Sequence, residues 1–489
     1  MLFAWSAGVG IVSSILLMIA ASAVRNSWSQ PVIAMPAAGP PWEFSLHVPL
    51  ALVSAGMWAA AILGGGGVIA GLAAVARGVR VPARPLLALS FAAVAVFTVL
   101  PPTGSSDALD YAAYGRMVVL GHSPYLMTPD ELRQAGDPVG RAAPLTWGTY
   151  VTIDGPLATA EQWAAAELGG TSAARIAFWL KLWNVIGFGA VALALDRMLR
   201  GHPARRARAH LLWSVNPLLL WVLMASGHVD VLAAALGVLG LIALRKQSPS
   251  DEPGALRGLT AGLLVGAAAD LKATYVLFLL GLAWAARRSA AAWFSAAAGV
   301  ALVLVPSYLG FGLQATKALV SRDGQASIGN YYQTVIGSHM YSVPHAALVG
   351  AAAFVAVAAL MLWRLPDGVP LLPAVRPVLA ITLAWLFVWP YQFPWYDSMA
   401  ICVLALYPAS RLDWLIMVRL TVATFGFMPG NAGFSAQHVL AMITEGTLYY
   451  VAPAILLATT VILVWLGLSQ RWRMDPPFAF GPARSLLTA

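Results

Sequence analysis

Asp107 and Asp110 stand three residues apart in the run Gly104-Ser-Ser-Asp-Ala-Leu-Asp-Tyr-Ala-Ala-Tyr-Gly-Arg116, where the longest polar stretch of an apolar chain begins. On a short helix that spacing puts both carboxylates on one face. At a membrane edge such a carboxylate can take the proton of a substrate hydroxyl. The competing reading is a helix start, with Ser105-Ser106-Asp107 as the cap. We take Asp107 as the base and Asp110 as a second acidic group, with Tyr111, Tyr114 and Arg116 as neighbouring substrate-binding side chains.

Three further clusters carry chemistry. In Ser226-Gly-His-Val-Asp230, a His228–Asp230 hydrogen bond would fix one imidazole tautomer and leave the other nitrogen for a phosphate or sugar hydroxyl. The same residues also suit a plain interfacial turn. Lys272, in Asp270-Leu-Lys-Ala-Thr274, either pairs with Asp270 or holds an anionic phosphate. Trp389-Pro-Tyr-Gln-Phe-Pro-Trp-Tyr-Asp397 reads as an interfacial aromatic belt, or as a place where Trp395 and Tyr396, beside Gln392 and Asp397, stack on a sugar or guide an isoprenoid chain. Less specific candidates are His122, Tyr125, Trp147, Asp154 and Trp163, then His339 and Tyr341, then His438 and Glu445. None forms a cluster of metal-site spacing, so no tightly bound metal or other cofactor is expected.

These residues must be held by membrane helices. With 60% apolar and 10% charged residues among 489, a soluble globular chain is excluded, and no segment alternates as a barrel strand would. The expectation is an all-α polytopic protein with about fourteen transmembrane helices: 2–24, 46–76, 85–100, 174–196, 209–226, 229–244, 258–271, 273–286, 291–311, 345–363, 375–390, 396–409, 413–428 and 447–468. The first is read as a retained helix, since the positive n-region of a signal peptide is missing. The stretch from Ala261 to Trp284 is split at Asp270-Leu-Lys272 because Arg257 and Arg287-Arg288 flank it on both sides.

Most of the 29 Lys and Arg then fall on one side, with Arg197, Arg200, Arg205, Arg206 and Arg208 as the strongest anchor. That side is cytoplasmic by the positive-inside rule, so both termini are cytoplasmic and loops 102–173, 312–344 and 429–446 are external. The net charge of +9 marks membrane orientation rather than nucleic-acid binding. Gly64 to Gly67 predicts close helix packing or a kink and lacks the Lys and Ser/Thr of a phosphate loop. Cys402, the single cysteine, is expected to be buried and inert.

The run from Gly104 to Tyr125 is followed by Asp154-Gly-Pro-Leu157, Asn216-Pro-Leu-Leu219, Gly227-His-Val-Asp230, Leu271-Lys-Ala-Thr274 and Pro394-Trp-Tyr396. In that order the chain resembles the polyprenol-phosphate-mannose-dependent mannosyltransferases of GT-C fold, from actinobacterial envelope synthesis. The resemblance implies a GT-C-like helical bundle in which residues 1–84 form two accessory helices and residues 85–489 the catalytic unit. It also implies a polyprenyl-phosphate sugar donor, a mannan-type lipoglycan acceptor and Asp107 as base, with the site on the external face of the plasma membrane. Lys272 and His228 would steady the donor phosphate, with Asp230, Trp395, Tyr396 and Asp397 near the substrate. Two departures stand out: Asp154 replaces a common aromatic, and Asp397-Ser-Met follows Pro-Trp-Tyr. Transfer of arabinofuranose is the nearest alternative. A transporter lined by Lys181, Lys272 and Arg419, or a silent scaffold, is the alternative from another class.

Overall fold

The computed structural model describes residues 2–24, 33–46, 48–248, 250–320, 327, 329–332, 344–427, 442–443 and 445–472. The described residues are helical, with no strand beyond an isolated bridge between Val24 and Phe44. His339, Tyr341 and His438 lie outside them.

Three long helices come first: α1 (Leu2–Ala23), α2 (Leu50–Ala76) and α3 (Ala83–Val99). The segment between α3 and the next long helix then folds as α4 (Asp107–Val119), α5 (Pro129–Gln134), α6 (Pro138–Ala142) and α7 (Pro156–Gly169). Next are α8 (Ala173–Met198), α9 (Pro203–Leu212) and α10 (Pro217–Leu219), which continues as a π-helical turn over Leu220–Ala225. After these come α11 (Asp230–Ala243), α12 (Ala255–Leu271), α13 (Val276–Ala286), α14 (Ala290–Phe311) and α15 (Gln314–Val320). The last described helices are α16 (Pro344–Arg364), α17 (Val375–Val388), α18 (Asp397–Leu404), α19 (Leu412–Phe427) and α20 (Ala452–Ser469).

Helix occurs in all fourteen expected segments, but the number of crossings is smaller by length. Among the described residues, six helices are long and apolar enough to cross a membrane, or seven if Pro203–Ala225 and Asp230–Ala243, bent by 119°, count as one span. At 1.5 Å per residue, the eight residues of α18 reach only about 12 Å and cannot cross on their own. The chain is a multi-pass membrane protein whose shorter apolar helices pack among the long ones.

The segment from α9 to α11 forms the buried spine. Trp213, Leu218, Leu219, Leu220, Leu223 and Val231 are fully enclosed. Gly64 and Gly67 of α2 pack as expected: a Cβ at Gly64 would meet Pro217 and Leu218 at 3.3 Å, and one at Gly67 would lie 2.8 Å from the Ile11 amide nitrogen. The α1–α2 pair is therefore joined to the spine, and the Ser14 hydroxyl donates to the Ala60 carbonyl at 2.7 Å.

The loop between α3 and α8 is built by caps. Thr128 and Glu131 form a capping box on α5, and Asp137 accepts from the amides of Val139 and Gly140 at the start of α6. Arg116 of α4 reaches Asp137 at 2.9 Å, which ties the two pieces together. α4 then lies against α7 and α8, with Ala108, Ala112 and Ala113 fully buried.

Candidate active site

α4 starts at Asp107, so both Asp107 and Asp110 fall in its first turn, where negative charge is favoured by the helix dipole. The Ser105 hydroxyl donates to Asp107 Oδ1 at 2.9 Å and accepts from the Asp107 amide at 3.2 Å. This local turn aims the carboxylate outward, and its side chain keeps 22% of its exposure. The approach to Asp107 is clamped. Lys181 Nζ, fully buried on α8, donates to the carbonyls of Leu100 at 2.8 Å and Pro101 at 3.5 Å. The Thr103 amide donates to Ala225 O at 3.1 Å, and the Ser226 hydroxyl returns a bond to Thr103 O at 2.7 Å.

A cleft of about 600 Å³ opens in front of α4. It is lined by Asp107, Asp110, Tyr111 and Tyr114 of α4, by Asp154 and Lys272, and by a wall of rings from Phe393, Trp395, Tyr396 and Phe427. Trp395 stacks on Phe393 with ring centres 4.7 Å apart and meets Phe427 edge-on at 5.2 Å. The Tyr114 hydroxyl donates to Tyr150 O at 3.0 Å, which holds the rim.

Lys272 follows the last residue of α12 in an extended conformation (φ −142°, ψ 115°), which turns its side chain away from that of Asp270. Its ammonium pairs instead with Asp154 Oδ1 at 2.9 Å and lies 3.9 Å from Asp230 Oδ2. Of the two alternatives for Lys272, the pair with Asp270 does not form. Burial alone would push the ammonium down, but the carboxylates around it, Asp154 first and then Asp230, carry it well above the usual lysine range. Burial also holds the Tyr111 phenol well above its ordinary value.

Asp154 reaches Lys272 because Gly155 packs directly on the end of α12, where a Cβ would collide with the Asp270 carbonyl oxygen. The Tyr125 hydroxyl donates to Asp154 O at 3.1 Å and shares a 2.8 Å bond with Thr159, so the turn is fixed from both sides. Sequence reasoning ranked Asp154 low. Its signal was an acid in a Gly-Pro turn, but the partner lies 118 residues away.

The His228–Asp230 hydrogen bond, one of the two readings of that turn, does not form either. Gly227 adopts φ +78°, and Asp230 opens α11, so the two side chains diverge. The carboxylate near His228 is Asp107, with Oδ2 3.7 Å from Nδ1. His228 stacks on the face of Trp395 at 3.9 Å, behind the cleft wall. Neither ring nitrogen has a hydrogen-bond partner. Burial, with the charge of Lys272, keeps its pKa well below the ordinary histidine value, so the ring is neutral.

Other candidates fall elsewhere. Arg116 is engaged with Asp137 outside the cleft. Asp397 is buried in an ion pair with Arg419, which also donates to Gln392. Trp147 lines the cleft. His122 and Glu445 are exposed, and the Trp163 indole donates to Glu167 at 3.1 Å on the surface. Among the described residues, no group of three His, Cys, Asp or Glu is placed to hold a metal ion.

With this geometry established, residues 7–288 match a family model described as alpha-(1->6)-mannopyranosyltransferase, N-terminal domain. The chain belongs to this family. It is a mannosyltransferase family of the GT-C type, and the protein is accordingly a glycosyltransferase enzyme with a sugar donor, a glycan acceptor and a bilayer as partners. No curated protein and no solved structure matches the chain. Asp107, Asp110, Asp154, His228, Asp230 and Lys272 all lie inside the matched stretch, whereas the aromatic wall from Phe393 to Phe427 lies beyond it.

Proposed function

We propose that the protein is an inverting mannosyltransferase that takes mannose from a polyprenyl-phosphate donor at the external membrane face and passes it to a lipoglycan acceptor. The observation that carries this reading is one cleft lined by both Asp107 and Lys272, with aromatic rings facing them. Residues 85–489 form the catalytic unit in this reading, and residues 1–84 support it.

The chemistry needs one base and one cation. Asp107 takes the proton of the acceptor hydroxyl, whose oxygen bonds to the anomeric carbon while the electron pair of the sugar–phosphate bond leaves on the phosphate. A phosphate leaves readily, so the second carboxylate of a glycoside hydrolase is not required. Lys272 meets the charge that grows on the leaving oxygen, in a cleft where low dielectric strengthens the attraction. To do so it exchanges Asp154 for the phosphate. The family's description names an α-(1→6) linkage, and we carry it over as the product. An α product formed by one inversion requires a donor whose mannose is β-linked to phosphate.

Support for the external side comes from α8. The first-loop helices lead into its N-terminal end, and its other end runs into Arg197, Arg200, Arg205 and Arg206, roughly 39 Å away at 1.5 Å per residue. Basic residues collect on the cytoplasmic side. The transporter reading is disfavoured because its three cations do not share a path: Lys181 is bound to backbone carbonyls, Arg419 to Asp397, and only Lys272 faces the cleft.

The test is incubation of purified protein with polyprenyl-phosphate-mannose and a short mannoside, with the product linkage read by NMR. A mannosylated product that disappears in Asp107→Asn is expected. Unchanged product in that variant removes the mechanism. Lys272-dependent flux into vesicles without transfer would restore the transporter.

A further inference from the structure

The helix pair α12–α14 is closed at one end and open at the other. Near the start of both helices the backbones touch, because a Cβ at Gly258 or Gly262 would run into the main chain of Ala292 or Ala296. One turn further on the contact loosens, and a Cβ at Gly266 would lie 3.1 Å from Val300 Cα. Beyond that point a groove of about 1090 Å³ opens between α14 and the α12–α13 junction, lined by Ala269 of α12, Ala273 at the junction, Val276 and Leu279 of α13, and Leu304 and Leu309 of α14 among others. Pro306, in the same stretch of α14, removes a backbone donor and crowds the preceding turn, a common cause of a helix leaning away.

One end of this groove lies beside the chain segment that carries Lys272. Ala269 and Ala273, four residues apart, face the groove, while Lys272 between them in sequence faces the cleft. Tyr308 and Phe311 of α14 pack with Tyr125 and Val151, at the base of the loop that carries Asp154. One short segment of chain thus has an apolar slot on one side and a buried cation on the other. Size alone would not argue for this. A groove of about 1230 Å³ along α1, lined by Trp5, Val9 and Val12 among others, has no residue of the cleft beside it.

We infer that this wedge, between α14 and the α12–α13 junction, is the binding site for the isoprenoid chain of the lipid-phosphate donor, with Lys272 at its head-group end. The inference rests on the donor reading above and adds to it which helices hold the lipid. The small side chains of Ala269 and Ala273 leave room for methyl branches, and Lys272 complements the phosphate charge. The α1 groove is filled by ordinary bilayer lipid.

The experiment uses the full-length protein in nanodiscs and a photoactivatable polyprenyl phosphate without sugar, with labelled peptides mapped by mass spectrometry. Labelling in 269–276 and 304–316 that unlabelled polyprenyl phosphate displaces and phosphatidylglycerol does not is the expected result. Ala273→Trp and Leu309→Trp should each raise KM for a long-chain donor about 10-fold, as loss of a few buried methylenes would. A two-isoprene donor and kcat should be left within about twofold, and Val9→Trp in the α1 groove should change neither. Equal labelling of the α1 groove, displacement by phosphatidylglycerol, or an equal rise in KM for both donors from Leu309→Trp would overturn the assignment. Displaceable labelling of the wedge without any mannosyl transfer by wild type would sink the donor reading alone. Transfer without labelling there would sink the wedge alone.

Discussion

Two buried ion pairs in this molecule use the same kinds of group and end differently. Arg208 meets Asp413 through two bonds of 2.6 and 2.5 Å, and its remaining donors reach the carbonyls of Leu404, Ala405 and Tyr407. It is sealed, with both side chains essentially unexposed. Lys272 has two carboxylates within 4 Å and one good bond, Asp230 Oδ2 has no hydrogen-bond partner, and the other oxygen of Asp154 receives only a 3.5 Å contact from Gln162. A saturated pair holds helices together, since removing one partner strands a buried charge. An incomplete pair beside a cleft has coordination left for something that arrives.

The variant expected to lose most is Asp107→Asn, with transfer down about 10³-fold, in the range for a general base. Because the carboxylate is partly exposed, the melting temperature should stay within about 2 °C. Arg208→Met should instead cost about 3–5 kcal/mol of stability, read as loss of the monodisperse peak in size-exclusion chromatography. Adding Asp413→Leu should restore most of that peak. If Arg208→Met alone behaves as wild type, the contrast between the two pairs fails.

Lys272→Met should lower transfer about 10²-fold while leaving more folded protein than Arg208→Met, since its bonded partner Asp154 lines the cleft. Asp154→Asn sharpens the comparison, because it removes the anion that competes with the donor. KM for the donor should fall about fivefold with kcat within about twofold, and a rise would mean that Asp154 is needed to place the ammonium. The smallest effect is at His228. Its folded pKa is depressed, so the unfolded chain binds a proton near pH 6.5 that the folded chain refuses, and stability is lost as pH falls below that value. His228→Phe keeps the stack on Trp395 and should make the fall in melting temperature from pH 7 to 5.5 shallower by about 1–2 °C.

Apolar length and basic flanks made the helices legible. The expected segment 174–196 is Ala173–Met198, and 447–468 is helical to Ser469. The start of α9 was hidden because Arg205, Arg206 and Arg208 read as a basic loop, whereas Pro203 at its first turn begins a helix. At the site, the i, i+3 spacing of Asp107 and Asp110 did place both on the cleft. Neither of the two i, i+2 pairings, His228–Asp230 and Asp270–Lys272, forms, for one reason. Side chains two apart at a helix end do not face each other, and Lys272 pairs with Asp154 while His228 lies near Asp107, both from other elements. Those long-range partners leave no trace in local spacing.

The Arg208–Asp413 pair spans 205 residues of chain. Arg208 lies within the stretch matched as an N-terminal domain, which stops at residue 288, while its counter-charge arrives only with α19. During synthesis the central guanidinium must therefore wait, uncompensated, until most of the polypeptide has left the ribosome. The stretch matched by the family model therefore holds only one half of this sealed pair.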